Sequence, residues 1–255
     1  MSIEIIILFF IISVIYASVG FGGGSSYLAV LTLVGMSMPM MRSISLICNI
    51  IVSLGGAYAY WKHGFLNIKK SLFITLFSVP MAFIGGSIGL KAEMFFILLG
   101  ISLIVAAVFL FFENAFFSTA IFVTDKDDFH VKNRVFHAIM GIFIGFLSGL
   151  VGIGGGIFLS PLLHFTRWDN AKNIAATASF FICINSISGL AGQCLNHRFD
   201  ADVVGVLPLL ITVFIGGQIG NHVSISWLNL QTVRQLTAGL VMYAGINILL
   251  NYVKI

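Results

Sequence analysis

Charged positions divide this chain into long uncharged stretches: 5–41, 43–61, 71–90, 94–112, 135–166, 173–197, 203–233 and 235–253. Each can cross a bilayer, because about 20 apolar residues, rising about 1.5 Å each, span the hydrocarbon core. The pattern predicts an all-α integral membrane protein of about eight transmembrane helices. Stretches 5–41 and 135–166 are too long for one simple helix. Each contains a glycine-rich break, Gly20-Phe21-Gly22-Gly23-Gly24 in the first and Gly152-Ile153-Gly154-Gly155-Gly156 in the second. Clustered glycine destroys a helix. In lipid, non-helical backbone persists only where protein buries it or where it lines a cavity. Two matching interruptions in two halves therefore point to a transport site at a repeat interface.

Composition agrees with a membrane protein: 59% of residues are hydrophobic and 9% charged, against roughly 25% charged in a soluble domain. A cleaved signal peptide is not expected, since Glu4 replaces a basic leader and the break near residue 20 recurs deep in the chain. Cys48, Cys183 and Cys194 lack CxxC spacing and read as buried free thiols. The net charge of +4 comes from Lys and Arg at the ends of the uncharged stretches, with no cluster suited to nucleic acid. Alternate loops place Lys62, Lys69, Lys70, Lys126, Lys132, Arg134, Arg198 and Lys254 on the N-terminal side. Arg42, Lys91, Arg167, Lys172 and Arg234 fall on the other. The positive-inside rule then expects cytoplasmic termini. Trp61, Trp168 and Trp227 end their stretches, where an indole sits at headgroup level.

The repeat extends beyond the glycines. Asn49 and Gly56 are matched by Asn185 and Gly192, and His63-Gly64-Phe65 by His197-Arg198-Phe199. Ile84-Gly85-Gly86-Ser87-Ile88-Gly89 is matched by Ile215-Gly216-Gly217-Gln218-Ile219-Gly220, and Leu99-Gly100-Ile101 by Ala238-Gly239-Leu240. This predicts two four-span repeats, 1–112 and 135–255, each with a Gly-broken first helix, joined by a polar connector at 113–134. An even number of spans per unit implies parallel repeats about an axis along the membrane normal. Within the connector, 114–124 either lies at the interface or extends the fourth span.

Consecutive glycines leave backbone N–H groups free to converge on one point, a nest suited to an oxyanion. A half-helix starting after each break adds the positive end of its dipole. The candidate substrate-binding residues are Gly20, Gly22, Gly23, Gly24, Ser25, Ser26 and Asn49 in the first half, with Gly152, Gly154, Gly155, Gly156, Thr177 and Asn185 in the second. Ser25-Ser26-Tyr27 opens the first half-helix with hydroxyl donors, whereas Ile157-Phe158-Leu159-Ser160-Pro161 opens the second more sparsely, so the site is expected to be asymmetric. Asn49 and Asn185 suit either an interhelical hydrogen bond or substrate contact. Ser53, Ser87, Ser179 and Gln218 could face the path or bond locally. Glycines 85, 89, 216 and 220, and the series Gly141, Gly145, Gly149, have the spacing of close helix packing. Arg42 and Lys172 stand beside spans as candidate entry charges, with a snorkelling loop charge as the plainer alternative. His63 and His197 have no partner at metal-ligand spacing.

The chain resembles the sulfite exporter TauE/SafE family, also called the toluene-sulfonate uptake permease family. The match rests on Ser18-Val19-Gly20-Phe21-Gly22-Gly23-Gly24, on Gly149-Leu150-Val151-Gly152-Ile153-Gly154-Gly155-Gly156 followed by Pro161, and on Ile84-Gly85-Gly86 with Ile215-Gly216-Gly217. The resemblance implies a bacterial inner-membrane permease moving sulfite, organosulfonates or related sulfur-containing or carboxylate anions.

Every Asp and Glu lies at a span end or in a loop, which disfavours a carboxylate-based cation or proton carrier. The coupling ion stays open between a proton and a sodium ion held by carbonyls of the breaks. No GxxxxGK[ST] motif occurs and no cofactor is expected. The expected function is a secondary transporter of a small anion, exposing the glycine-lined site alternately to each face. An anion channel is the alternative. A membrane-embedded enzyme is a weaker one, since no nucleophile, base and orienter set is found.

Overall fold

Each glycine break ends one helix and starts another. The computed structural model describes residues 3–117, 131–166, 168–196, 203–226 and 230–252, all of whose regular structure is helical. The helices are α1 Ile3–Ser18, α2 Gly24–Leu33, α3 Met38–Lys62, α4 Ile68–Ser87, α5 Ala92–Phe117, α6 Val131–Val151, α7 Gly156–Phe165, α8 Ala171–Leu195, α9 Val203–Ser226 and α10 Leu230–Tyr252. Five of them, α3, α4, α5, α8 and α9, contain a segment long and apolar enough to cross a membrane unaided. At 10 residues each, α2 and α7 extend only about 15 Å. His197, Arg198, Phe199, Trp227, Arg167, Lys126, Lys254 and most of the connector lie outside the described residues. Helix α5 runs on to Phe117, so the described part of 114–124 extends that helix.

Local chemistry sets the helix boundaries. Gly23 (φ 87°) and Gly155 (φ 79°) precede α2 and α7 in the left-handed region, which a side chain makes costly. Asn67 caps α4 by accepting from the Lys70 N–H, and Asn170 caps α8 in the same way from Asn173.

The glycine stripe of α6 sets the tightest packing. Gly141, Gly145 and Gly149 lie on Ile74, Ser78 and Ala82 of α4, so close that a Cβ would strike backbone carbonyls. The residue numbers rise together, so α4 and α6 run the same way. On the other side Gly216 and Gly220 of α9 receive Phe10 with Ser13, and Val14 with Ala17, of α1, and these too run the same way. The packing expected of these glycines is present. Gly89 lies beyond the end of α4 and is exposed.

The remaining directions follow from further pairs. Val52 and Gly56 of α3 meet Gly217 and Asn221 of α9, a parallel pair, and Ser71 and Val79 of α4 meet Thr177 and Ser188 of α8, also parallel. Hence α1, α3 and α9 share one direction, and α4, α6 and α8 the other. Between two helices of like direction, α2 and α7 must double back. Tyr27 of α2 indeed stacks on Phe9 of α1, with ring centroids 4.7 Å apart.

This corrects the parallel relation between halves expected from the sequence. Helices α3 and α8 run opposite ways, with Ser43 against Gln193 and Gly56 against Ser179. So do α5 and α10, with Gly100 against Leu249 and Ile104 against Gly245. An axis along the membrane normal would leave these counterparts parallel. The sequence count treated each broken stretch as one crossing, whereas each is a hairpin that returns to the face it left.

The hairpins also reassign the loops. We call the face where α1 begins proximal and the other distal. Lys62, Lys69, Lys70, Lys132, Arg134 and Lys172 sit at helix ends on the distal face, and Lys91 on the proximal. The count that placed Lys62, Lys69, Lys70, Lys132 and Arg134 on the side of the N-terminus and Lys91 on the other is therefore corrected. The end of α2 and the end of α10 share a cavity lined by Thr32, Leu33, Asn247 and Asn251, which brings the last helix back to the proximal face.

Candidate functional site

The two hairpin tips meet halfway along α3 and α8, between Asn49 and Ile182. Asn49, fully buried at the middle of α3, donates from Nδ2 to the Ile153 carbonyl at 2.9 Å. Its Oδ1 lies against Gly22 and Gly24. One amide therefore touches both breaks. Ser45, one turn earlier on the same face, has its Oγ within reach of the carbonyls of Gly24 (3.1 Å) and Gly152 (2.9 Å), which share its one hydroxyl proton. From α8, Ile182 packs against Gly22, Gly154 and Gly156. Any side chain at these glycines would occupy the space that Asn49 and Ile182 fill.

Polar demand at this point is unmet. Asn49 Oδ1 is buried without a hydrogen-bond partner, as are the hydroxyls of Ser186, beside Gly154, and Ser148, beside Gly155. In α2 the first N–H groups bonded to the break are those of Ser26 and Tyr27, both to the Gly23 carbonyl; in α7, Phe158 and Leu159 bond to that of Gly155. The N–H groups of Gly24 and Ser25, and of Gly156 and Ile157, have no such backbone bond. Buried polar groups without partners are costly, and a water, an ion or a ligand can complete the set. Donors at two helix N-termini, both with positive dipole ends, suit an anion.

The other sequence candidates take several positions. Gly20 holds the distal side of the first break, its carbonyl accepting from Ser179 Oγ at 2.9 Å. Ser25 and Ser26 are buried and bonded to Tyr16 of α1, at 3.2 and 2.6 Å between oxygens, so their hydroxyls close the α1–α2 hairpin. Asn185 donates to the Phe181 carbonyl of its own helix, leaving its Oδ1 buried and unpartnered. Thr177 faces α4, with its Oγ1 2.9 Å from Ser71 Oγ. Lys172 stands on the distal face, its Nζ 5.0 Å from the Phe65 ring centroid. Phe65 borders an open cavity of about 440 Å³ with Lys69, Asp169 and Asn173.

Arg42 departs most from expectation. It does not snorkel: it is 1% exposed, among the largest fully buried side chains. Its guanidinium donates to the Gly149 carbonyl at 2.9 Å and reaches the Gly85, Gly86 and Ile88 carbonyls at 3.4–3.5 Å. These are the C-terminal ends of α6 and α4, where a cation meets the negative ends of two dipoles.

Sequence reasoning missed Ser45 and Ile182 altogether. A faint signal for Ser45 was its spacing four residues before Asn49, which puts two polar groups on one face of an apolar helix.

The family described as sulfite exporter TauE/SafE matches residues 5–248. The probable membrane transporter protein y4hK of Sinorhizobium fredii is 32% identical over 251 residues, which is 97% of this chain and 98% of that protein. The probable membrane transporter protein YdhB of Bacillus subtilis is 26% identical, covering 89% of this chain and 90% of its own length. A probable membrane transporter protein of Methanocaldococcus jannaschii is 27% identical, covering 73% and 70%. No solved structure matches.

Proposed function

This chain belongs to the sulfite exporter TauE/SafE family of membrane transporters, and from that premise we propose that it is a secondary transporter of a small oxyanion, bound where the two glycine breaks meet. The observation that carries the reading is the meeting of two helix N-termini at Asn49: the N–H groups of Gly24 and Ser25 and of Gly156 and Ile157 have no backbone bond to the breaks, and the Asn49 amide touches both breaks at once. A compact sulfur oxyanion such as sulfite, a sulfonate or a small carboxylate offers acceptors to both sets of N–H groups at once. The tightness of the site, where Ile182 and Asn49 fill the space around the glycines, favours a substrate of few atoms.

The opposed directions of α3 with α8 and α5 with α10 support an inverted repeat about an axis in the membrane plane. On this reading 1–112 and 135–255 are the two units. Each contributes a re-entrant hairpin, and the chain crosses through α3, α4, α5, α8, α9 and α10. Exchange of the two units' conformations exposes the central site first to one face and then to the other. A proton or a sodium ion is the candidate coupling partner.

The cluster of Lys62, Lys69, Lys70, Lys132, Arg134 and Lys172 on the distal face makes that face cytoplasmic by the positive-inside rule. The termini then lie outside, opposite to the orientation read from sequence alone. In a bacterium the membrane is the inner one.

The reading is tested in proteoliposomes preloaded with unlabelled sulfite, sulfonate or carboxylate, followed for labelled anion. Counterflow that saturates with one of these anions is the expected result. Flux without saturation or counterflow would replace the transporter by a channel.

A further inference from the structure

A buried cation lines the proximal side of the second break, and among the described residues none lines the matching side of the first. On α3, Arg42, Ser45 and Asn49 lie along one helix face at spacings of three and four. From the centre outward Asn49 holds Ile153, Ser45 holds Gly152, and Arg42 packs its own Cα and Cβ against Gly152. Beyond Gly152 the guanidinium holds the last turn of α6 at Gly149 and the end of α4 at Gly85, Gly86 and Ile88. One side chain thus joins three helices across the outlet of the break. The register that matches Asn49 with Asn185 and Gly56 with Gly192 matches Arg42 with Ala178 of α8. Around Gly20, a Ser179 hydroxyl holds the break, and Gly56 beside it meets the Asn221 side chain, with no cation in Arg42's position among the described residues.

We propose that Arg42 is the positioning residue that closes the pathway at the proximal face. Its guanidinium bolts the ends of α4 and α6 to α3, and opening to that face requires these carbonyls to be released. A guanidinium suits the task because its planar array of donors serves several carbonyls at once, which a Lys ammonium on a flexible stem does not do in one geometry. Its position next to Gly152 lets an arriving or departing oxyanion accept from the guanidinium in place of the carbonyls as they part. The proposal rests on the transport reading, but the closure can be read without knowing the substrate.

Ser148, fully buried in the last turn of α6 beside the Gly149 carbonyl that Arg42 holds, is the reporter position. Ser148→Cys is placed in a background with Cys48, Cys183 and Cys194 replaced. Labelling by a membrane-impermeant maleimide is then measured separately from each face in right-side-out and inside-out vesicles. With Arg42 present, slow labelling is expected from both faces. In Arg42→Ala, labelling from the proximal face should rise several-fold while labelling from the distal face stays slow. Arg42→Lys should fall between, and it carries the comparison if the Ala variant fails to insert. An unchanged proximal rate in whichever variant inserts overturns the closure and leaves Arg42 a helix cap. A rise from both faces alike also overturns it, since that reports general loosening. Sulfite-induced thermal stabilisation, measured on the same variants, reports on the central site separately. Its absence in the parent would count against the anion reading and leave the closure result standing.

Discussion

The two glycine breaks have nearly the same sequence and different surroundings. Gly20 and Gly152 share a positive φ, as do Gly23 and Gly155, so the two chain reversals are alike at their ends. Between those ends they differ: Gly154 is left-handed with φ 85°, whereas Gly22 is not. The first half-helix carries Ser25, Ser26 and Tyr27, and Tyr16 fastens both serines to α1. The second opens with Ile157 and Phe158, buried in apolar surroundings. The braces are unequal too. Helix α3 offers Ser45 and Asn49 to the breaks, while the matching α8 positions are Phe181 and Asn185, the latter bonded to its own helix. The comparison teaches that the repeated glycines supply the reversal and the free N–H groups. The unrepeated residues hold the two tips at a fixed distance and make one face of the site unlike the other.

The largest test of this division is at the shared ends. Gly23→Val puts a branched side chain at a φ it rarely adopts and a Cβ within 2.8–2.9 Å of the Tyr27 ring. Gly155→Val does the same with Ile144 and Phe181 at 3.0 Å. Both variants should insert and lose transport completely in vesicle assays. Full transport in both would move the site elsewhere.

The braces should come next. Asn49→Ala strands the buried Ile153 carbonyl, an effect of about 1–3 kcal/mol, and should weaken anion binding by about tenfold or more. Asn185→Ala removes only a local bond and should change affinity far less. Equal losses in the two variants would mean that the breaks are braced symmetrically after all. Ser45→Ala removes the one hydroxyl that spans both breaks, shared between the Gly24 and Gly152 carbonyls, where Ser179→Ala releases only the Gly20 carbonyl, so its loss of affinity should be the larger, at about 1 kcal/mol.

Smaller still is Tyr16→Phe, which frees the two serines of the first hairpin. It should lower thermal stability by about 1 kcal/mol with little change in the preference among anions. A changed anion preference would instead put Ser25 and Ser26 in the site. Least of all, Lys70→Met breaks the half-exposed pair with Asp169, 3.7 Å apart, and should cost well under about 1 kcal/mol.

Much of this was legible in the chain. Two clusters of glycine inside apolar stretches had to break helices, and an asparagine in the middle of a span had to find polar partners. The return of α2 along α1 was not legible, since left-handed glycines end a helix equally well before a continuation and before a reversal. That one ambiguity carried the loop charges to the wrong faces and made helices that run opposite ways, α3 with α8 and α5 with α10, look parallel. Arg42 showed the sequence only a charge near the start of a span. Its burial depends on carbonyls more than 40 and more than 100 positions away. Ile182 looked like any other apolar residue because its partners are glycines that offer no side chain to pair with it.

The measurement closest to the central claim is thermal stabilisation of the purified protein by sulfite, thiosulfate, sulfate, sulfoacetate, isethionate and small carboxylates, in the parent and in Gly23→Val and Asn49→Ala. A ligand that binds only the folded state raises the melting temperature by mass action. The account predicts a concentration-dependent rise with at least one of these anions, absent in Gly23→Val and reduced in Asn49→Ala. No rise with any of them, or a rise that survives unchanged in both variants, would contradict an anion site where the two breaks meet.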